Sequence, residues 1–415
     1  MKIYLVGGAV RDTLLGIPVK DRDWVVVGAT VEDMLAQDYQ QVGKDFPVFL
    51  HPETKEEYAL ARTERKSGRG YTGFVVHAEP DVTLEEDLLR RDLTINAMAE
   101  DKHGNLVDPY GGRQDVTDKL LRHVSPAFTE DPLRVLRVAR FAARFHHLGF
   151  TVADETQALM GEISAGGELN DLVSERVWTE IGSALTEASP HVFFQVLRDC
   201  GALAEILPEV DKLFGVPQPA KYHPEIDTGI HTLMVLEQSA LLSRDPVVRF
   251  AALMHDLGKG AIPKKQWPNL RGHEELGVDL INTACKRIKA PNEHRDLARL
   301  TSLYHTRCHR AAHSDGETLL ETLELCDAYR NSRRFEKFLL ACEADARGRL
   351  GLEKNPYPQA DILRAALAAT AAIDTQQILS EGYKDAQIGE QIHRKRLQII
   401  RDNLDDLRQG IAGDE

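Results

Sequence analysis

Two aspartates near the N-terminus, Asp21 and Asp23, constrain the fold of this 415-residue chain more than any other feature. They precede the apolar run Trp24 to Val27, which predicts a buried strand. Side chains two residues apart on a strand point to the same face, so the two carboxylates are expected to lie side by side. Such a pair repels itself unless a cation joins it, and Mg²⁺ suits hard oxygen ligands. The pattern therefore predicts two-metal phosphoryl or nucleotidyl transfer.

The segment before these aspartates supports a phosphate site. A short apolar strand from Ile3 to Val6 runs directly into Gly7 and Gly8, with Arg11 shortly after them. A glycine turn lets the backbone approach a phosphate closely. A glycine pair alone is weak evidence, but GGAVRD followed by the DRD that holds the aspartates is much more specific.

Composition excludes several protein classes. Apolar residues make up 42% of the chain and charged residues 28%, as in a globular protein, and no apolar run is long enough for a membrane helix. We find no signal-peptide pattern, and the scattered cysteines indicate reduced thiols, so a cytoplasmic location is predicted. The net charge of −14 argues against indiscriminate nucleic-acid binding but leaves room for a local basic groove.

The distribution of apolar residues predicts an α+β fold. The first 122 residues mix short strands with turns, and helical periodicity dominates from Pro132 onward. A helix is expected over Glu85 to Ala99, and the stretch from Gly215 to Pro224 is interpreted as a linker. The expected strands are Ile3 to Val6, Trp24 to Val27, Val48 to Leu50, Glu57 to Ala61 and Leu106 to Asp108.

Glu57 opens one of these strands and is a candidate third carboxylate. It could be a metal ligand or polarise an attacking hydroxyl. The alternative, a surface glutamate beside Glu56, is equally compatible with the sequence.

Two arginine-rich segments follow. The first, RRDLTINA, contains Arg90 and Arg91, whose guanidinium forks suit a triphosphate. In the second, EDPLRVLRVARFAAR, Asp131 is expected to cap a helix. Its arginines share one side of the expected helix, and few acids compensate them nearby in the sequence. An Asp/Arg pair there could read base edges, whereas the simpler interpretation is a solvated basic face. These arginines are Arg134, Arg137, Arg140 and Arg144.

In order and spacing, GGAVRD, DRD, RRDLTINA, DPYGG and EDPLRVLR resemble the class II tRNA nucleotidyltransferases, the bacterial CCA-adding enzymes of the polymerase β superfamily. The resemblance implies Mg²⁺ ligands at Asp21 and Asp23 and base selection by Asp131 and Arg134. It further implies a flexible loop over Lys66 to Val76 and a supporting motif in the segment SERVWTE. The nucleotide contacts that it implies are Gly8, Arg11, Arg91, Asp131, Arg134, Arg137 and Arg140.

A second constellation lies further along the chain. His231, the adjacent His255 and Asp256, and Asp327 form the ordered pattern H…HD…D of HD phosphohydrolases. Imidazole and carboxylate together suit a transition metal such as Ni²⁺, Co²⁺ or Mn²⁺. Such a metal would polarise a phosphate and activate a water. His273 and His305 are candidates for extra ligands, although the favoured interpretation places them behind the ligands as supporting residues, and His223 and Asp345 are weaker candidates.

These patterns predict a polymerase-β-like head over 1–122, a helical neck and body over 123–222, an HD domain over 228–329 and a helical tail over 330–415. The predicted function is template-independent addition of CCA to tRNA from CTP and ATP. A second, metal-dependent hydrolase would remove 2′,3′-cyclic phosphate or 2′- and 3′-phosphate ends. We expect tRNA, CTP and ATP as partners, no membrane association, and a monomer or weak homo-oligomer.

Three alternatives remain open at this point. A bacterial poly(A) polymerase shares the head motifs, but the acidic balance and the HD segment disfavour it. A partial enzyme would add only CC or only A. A protein of another class would be an RNA-binding HD hydrolase with an inactive head, which the intact Asp21 and Asp23 disfavour.

Overall fold

The computed structural model describes residues 1–42, 48–66, 74–373 and 375–409. The chain forms two compact units, Met1–Ile206 and Leu207–Glu415. The predicted head therefore shares one compact unit with the helices that follow it. Most of the predicted flexible loop over Lys66 to Val76 lies outside the described residues.

The first unit is built on a mixed sheet near the N-terminus. Among the described residues its strands run in the order β3-β4-β5-β2-β1-β8-β9, and β6 pairs with β7 in a separate hairpin. β1 and β2 are antiparallel, whereas β2 and β5 are parallel. The strands are β1 Lys2–Val6, β2 Asp23–Val27, β3 Gln40–Val42, β4 Val48–Leu50, β5 Glu57–Leu60, β6 Thr63–Lys66, β7 Phe74–His77, β8 Ala99–Glu100, β9 Leu106–Val107, β10 Leu120–Leu121 and β11 Thr151–Val152.

Strand β2 is buried on both faces of this sheet. Val25 packs into a cluster with Leu84 and Leu88, whereas its neighbour Val26 packs on the opposite face with Met34. This arrangement explains why β2 reads as a continuous apolar run instead of an alternating one. The predicted strands are confirmed to within a residue or two, and β3 and β8 are additional.

The helices of the first unit cover the sheet and then form an all-helical region, as the α+β prediction requires. They are α1 Gly8–Leu14, α2 Val31–Leu35, α3 Leu84–Leu89, α4 Gly112–Asp118, α5 Leu133–Phe145, α6 Asp154–Ala165, α7 Ser174–Thr186, α8 Pro190–Asp199 and α9 Ala202–Ile206.

The predicted helix over Glu85 to Ala99 is wrong in its second half. α3 ends at Leu89, and a short 3-10 turn at Thr94–Asn96 leads into β8. The Asp92 carboxylate accepts hydrogen bonds from the backbone N–H of Leu93 and from the Asn96 amide. Such local bonds compete with helical ones and so end the helix.

The second unit consists of helices. Among its described residues no helix is long and apolar enough to cross a membrane. The helices are α10 Pro208–Asp211, α11 Thr228–Leu242, α12 Pro246–Met254, α13 His273–Ile288, α14 Asn292–His309, α15 Gly316–Leu325, α16 Ser332–Arg347, α17 Pro358–Ala371, α18 Thr375–Ser380, α19 Ala386–Asp402 and α20 Leu404–Gln409.

The stretch interpreted as a linker, Gly215 to Pro224, is instead packed within this unit. Pro217 pairs with Asp227 in an isolated β-bridge, and the Gln218 side chain is buried against Lys259. A true linker leaves its polar groups to water, whereas these groups bond to the protein. The stretch is therefore part of the helical unit.

Candidate active sites

Three carboxylates line a cleft at the beginning of two interior strands of the first unit's sheet. Asp23 begins β2 and lies directly opposite Glu57, the first residue of the parallel neighbour β5. Asp21 precedes β2 by two residues, and all three side chains line one cleft together with Lys20 and Lys55. The structure thus brings Glu57 to the aspartate pair, although it lies far from them in the sequence.

The acidity of Asp23 reflects this crowding. Partial desolvation raises the pKa of Asp23, the Asp21 charge raises it further, and Arg91 acts in the opposite direction. When the ionised form of a carboxylate is disfavoured, a bound cation stabilises that form. The donor set, carboxylate oxygens beside an open cleft, fits Mg²⁺.

The glycine turn lies beside a guanidinium group. Gly7 has a φ of 66°, and a Cβ on it would lie 2.8 Å from Nη1 of Arg91. Only glycine combines that backbone conformation with such a close approach. Arg91 is also held by Asp87, whose Oδ2 lies 3.2 Å from Nη2. The turn, including Gly8, and Arg91 therefore form one surface.

Arg11 does not lie open on that surface. Its side chain is buried, and its Nε donates to Asp12 at 2.8 Å while Nη1 donates to Asn96. Burial lowers the pKa of Arg11, and the Asp12 carboxylate opposes that effect. In this structure the Arg11 guanidinium group is therefore occupied by Asp12 and Asn96 and is not presented to the cleft.

The arginines of α5 have acidic partners that the local sequence does not reveal. Arg137 donates to Asp92 at 2.8 Å, and Arg140 donates to Glu180 at 2.6 Å. Burial opposes ionisation of Asp92, but Arg137 lowers its pKa to about 2. Acids from distant segments therefore compensate this face, although few lie near it in the sequence.

The predicted base-reading pair is also held by protein groups. Arg134 donates to the carbonyl oxygens of Ala127 at 2.7 Å and Arg90 at 2.5 Å. Asp131 accepts from Arg176 at 2.9 Å and from the N–H of Leu133, as a helix cap does. Arg176 belongs to the segment SERVWTE, so this motif contacts α5 directly.

The second unit contains a buried cluster of histidines and carboxylates. Potential ligand atoms of His231, His255 and Asp345 lie within 4.8 Å of one another, as do those of Asp256, His273 and His305. His255 Nε2 is 3.0 Å from Asp256 Oδ2, which links the two groups. All these side chains are at least nine-tenths buried. Imidazole and carboxylate ligands at this spacing fit a transition metal.

The histidines of this cluster are oriented by bonds at their outer nitrogens. Nδ1 of His255 bonds the Ala252 carbonyl, Nδ1 of His273 bonds the Leu270 carbonyl, and Nδ1 of His305 bonds a carbonyl of its own helix. Each Nε2 is thereby turned inward. This outer support is the usual arrangement of metal-binding histidines.

Several inward atoms lack hydrogen-bond partners. His255 Nε2 and both carboxylate oxygens of Asp256 are buried, and none makes a hydrogen bond of acceptable geometry with the described residues. Buried polar atoms without partners are rare and costly in folded proteins. The Lys259 amine, 2.5 Å from Asp256, offsets part of that charge. The arrangement indicates a site for a cation.

Proton affinities within the cluster diverge. Burial alone lowers the pKa of His231, but hydrogen bonds to Asp345 and Glu225 raise it to about 9. Burial lowers the pKa of His305 to about 3, so this ring is neutral at pH 7. A metal bound at His231 would have to displace a proton, and metal affinity should therefore rise with pH.

Asp327 requires a correction. The structure does not bring Asp327 to the cluster: its side chain is 40% exposed and pairs with Arg334 at 3.0 Å. Its φ of 55° lies in the left-handed region that Asp tolerates, so a turn explains its identity. Asp345 on α16 takes the expected place, 3.1 Å from His231.

Comparison with known proteins identifies the family. Along the chain, family models described as "Poly A polymerase head domain", "Probable RNA and SrmB- binding site of polymerase A" and "HD domain" match residues 3–122, 149–214 and 228–338. A Multifunctional CCA protein of Thioalkalivibrio sulfidiphilus is 63% identical over 401 residues, which cover 97% of this chain and 98% of the relative. This chain belongs to the multifunctional CCA protein family.

Solved structures of CCA-adding enzymes share the fold. The Bacillus stearothermophilus CCA-adding enzyme in complex with CTP has a TM-score of 0.63 at 21% identity, covering 97% of this chain and 89% of that one. The Thermotoga maritima CCA-adding enzyme complexed with tRNA has a TM-score of 0.64 at 18% identity, covering 99% and 90%. At these identities the similarity concerns the fold.

Membership of the multifunctional CCA protein family confirms the prediction of a CCA-adding nucleotidyltransferase joined to an HD phosphohydrolase domain. The similar proteins are named multifunctional CCA proteins, which argues against the poly(A) polymerase alternative. The family model of the head is nevertheless described as a poly A polymerase head domain. Sequence reasoning missed Asp92 and Glu180 as partners of α5, and Glu225 as a partner of His231. A signal existed for Asp345, a carboxylate on the buried face of α16.

Proposed function

We propose that this family member adds CCA to tRNA 3′ ends from CTP and ATP, at the cleft of Asp21, Asp23 and Glu57. The observation that carries the proposal is the register of β2 and β5, which sets Asp23 opposite Glu57 and beside Asp21. The complexes of similar fold with CTP and with tRNA support this choice of substrates.

The residues of the cleft have distinct parts in this proposal. Mg²⁺ ions held by Asp21 and Asp23 would neutralise charge at the reacting phosphate and the leaving pyrophosphate. Glu57 would accept or orient the proton of the attacking 3′-hydroxyl. Arg91, beside the glycine turn, would bind the triphosphate through its guanidinium fork.

Base selection would fall to α5. Asp131 would accept a hydrogen bond from the exocyclic amine of cytosine or adenine, and Arg134 would donate to a ring nitrogen or carbonyl. Arg134 would first have to release its two carbonyl partners. Arg137 and Arg140 would hold the helix through Asp92 and Glu180 and offer their remaining N–H groups to the nucleotide.

Primer extension on a tRNA that lacks its CCA end tests the proposal. With CTP alone the product should gain two residues, with ATP alone none, and with both nucleotides three. A growing ladder of A residues would indicate a poly(A) polymerase instead. With both nucleotides present, a product that stops after CC, or extension that occurs only on a tRNA already ending in CC, would indicate a partial enzyme.

We infer that the histidine cluster hydrolyses phosphate esters at damaged RNA ends, with 2′,3′-cyclic, 2′- and 3′-phosphates as substrates. The buried inward atoms of His255 and Asp256, which make no hydrogen bond of acceptable geometry with the described residues, carry this inference. A Ni²⁺, Co²⁺ or Mn²⁺ ion held by His231, His255, Asp256 and Asp345 would polarise the phosphate and activate water. Cyclic-phosphate opening should depend on the added metal and stop on chelation. Hydrolysis that persists with a strong chelator would refute the proposed metal-dependent activity.

Both proposed activities suit a cytoplasmic enzyme.

A further inference from the structure

One histidine near the cluster contacts a carboxylate from its outer side. His309 ends α14, one turn beyond His305, and its side chain is 28% exposed. Its Nε2 lies 2.7 Å from Oδ2 of Asp345. The other oxygen of that carboxylate, Oδ1, lies 3.1 Å from His231 Nε2 and 3.7 Å from His255 Nε2. One carboxylate oxygen of Asp345 therefore faces the cluster, and the other faces His309.

A tyrosine holds the far side of His309. The hydroxyl of Tyr357, a buried residue just before α17, lies 2.8 Å from Nδ1. Because Nε2 faces the Asp345 carboxylate, the imidazole proton lies on Nε2 and is donated to Oδ2. Nδ1 is then the acceptor that faces the Tyr357 hydroxyl, which also lies 3.3 Å from Cys308 Sγ. Tyr357 thus holds the ring in the orientation in which His309 supports the carboxylate.

We propose that His309 is a positioning residue for the HD metal site, a role that rests on the proposed hydrolase function of the cluster. By binding Oδ2, it directs the single oxygen Oδ1 of Asp345 toward His231 and His255. Outer partners of this kind hold ligating carboxylates in place and set metal affinity. In this assignment His309 is not itself a metal ligand and acts through Asp345.

Metal titration into the metal-free full chain tests the role. Calorimetry with Mn²⁺ or Ni²⁺ should give a dissociation constant roughly 10- to 100-fold weaker for His309→Ala than for wild type. His309→Gln can place an amide N–H near the former Nε2 and should restore most of the affinity. Tyr357→Phe should cause a smaller loss, because it removes the contact that orients the His309 ring without removing the Nε2–H donor.

A matched control comes from a histidine–carboxylate pair elsewhere in the second unit. His393 on α19 has its Nδ1 3.1 Å from the Glu324 carboxylate, and its side chain is 44% exposed. His393→Ala should leave metal affinity unchanged. Circular dichroism of each metal-free variant establishes that the protein is folded before titration.

The outcomes separate this inference from the one on which it depends. Unchanged metal affinity in folded His309→Ala overturns the positioning role, and so does a His309→Gln variant as weak as His309→Ala. If His309→Ala does not fold, unchanged affinity in Tyr357→Phe overturns it instead. A wild-type chain that binds neither Mn²⁺ nor Ni²⁺ would overturn the proposed hydrolase function itself.

Discussion

The two candidate sites place acidic groups in opposite surroundings. In the first unit, Asp21, Asp23 and Glu57 are exposed at a strand edge, and backbone register sets their spacing. In the second unit, Asp256 and Asp345 are buried among helices, and side-chain bonds to neighbouring groups set their positions. A site that must admit a triphosphate and an RNA end stays open. The second site would admit a phosphate through a cavity lined by His273, His305 and Asp345, but its ligand atoms are otherwise enclosed, so each ligand needs support from its outer atoms.

The largest expected effect lies in the open site. Asp21→Ala or Asp23→Ala should reduce incorporation of both CTP and ATP below detection, because both carboxylates serve the same metal pair. Cyclic-phosphate hydrolysis, which uses the other unit, should persist and so act as the control. Near-normal incorporation by either variant with Mg²⁺ present would contradict the assignment.

The reciprocal experiment concerns the enclosed site. His255→Ala should abolish metal-dependent hydrolysis and leave CCA addition intact, since His255 is a proposed ligand only in the second unit. Both activities are measured on the same preparation. Joint loss in a folded protein would mean that the two sites are coupled, and joint retention would mean that His255 holds no essential metal.

A third test asks whether α5 selects the base. Arg134→Ala should cost roughly 1–3 kcal/mol of discrimination, because a bidentate base contact is lost. Misincorporation of UTP and GTP relative to CTP and ATP measures the change. Arg91→Ala, the matched variant beside the glycine turn, should weaken the binding of all four nucleotides alike. Wild-type discrimination in Arg134→Ala would remove the base-reading role.

The buried Asp92–Arg137 pair should appear in the acid stability of the first unit. Because the folded pKa of Asp92 is depressed from 3.8 to about 2, its stabilisation is present above 3.8 and is lost as the pH falls toward 2. That shift corresponds to roughly 2 kcal/mol of unfolding free energy. Asp92→Asn should be less stable than wild type at neutral pH, and the two stability curves should converge in acid. Parallel curves would show that the pair contributes no such linkage.

The smallest expected effect distinguishes the two environments directly. Since the pKa of Asp23 is raised on folding, ionised Asp23 slightly destabilises the metal-free fold above that pKa. Asp23→Asn should therefore be as stable as wild type, or slightly more stable, in thermal unfolding with chelator at pH 7. In the enclosed site, Asp256→Asn leaves the buried Lys259 without its charged partner and should be clearly destabilised. Equal losses of stability in Asp23→Asn and Asp256→Asn would contradict the difference between the two sites.

Local patterns predicted the parts of this molecule that depend on local chemistry. The strand after Asp23, the glycine turn, the α5 helix and the adjacent His255 and Asp256 could all be read from neighbouring residues. Prediction failed where a side chain far along the chain decides the outcome. Asp92 and Glu180 reach the arginines of α5 from distant segments, and Asp345 replaces Asp327 because tertiary packing brings α16 to the cluster. The helix end at Leu89 has a local cause instead, because the Asp92 side chain bonds the backbone beside it.

The stretch once interpreted as a linker has a consequence for how this enzyme can be inherited. Gln218 within the stretch bonds Lys259, and Glu225 just after it bonds His231. Ile226, the next residue, holds a φ of 62° that a β-branched residue rarely adopts. These residues precede the segment 228–338 that the HD family model recognises, and Asp345 follows it. A recombination event that exchanged that segment alone would separate His231 from Glu225 and Asp345, and Lys259 from Gln218. The hydrolase would therefore pass between genomes intact only with the flanking residues on both sides.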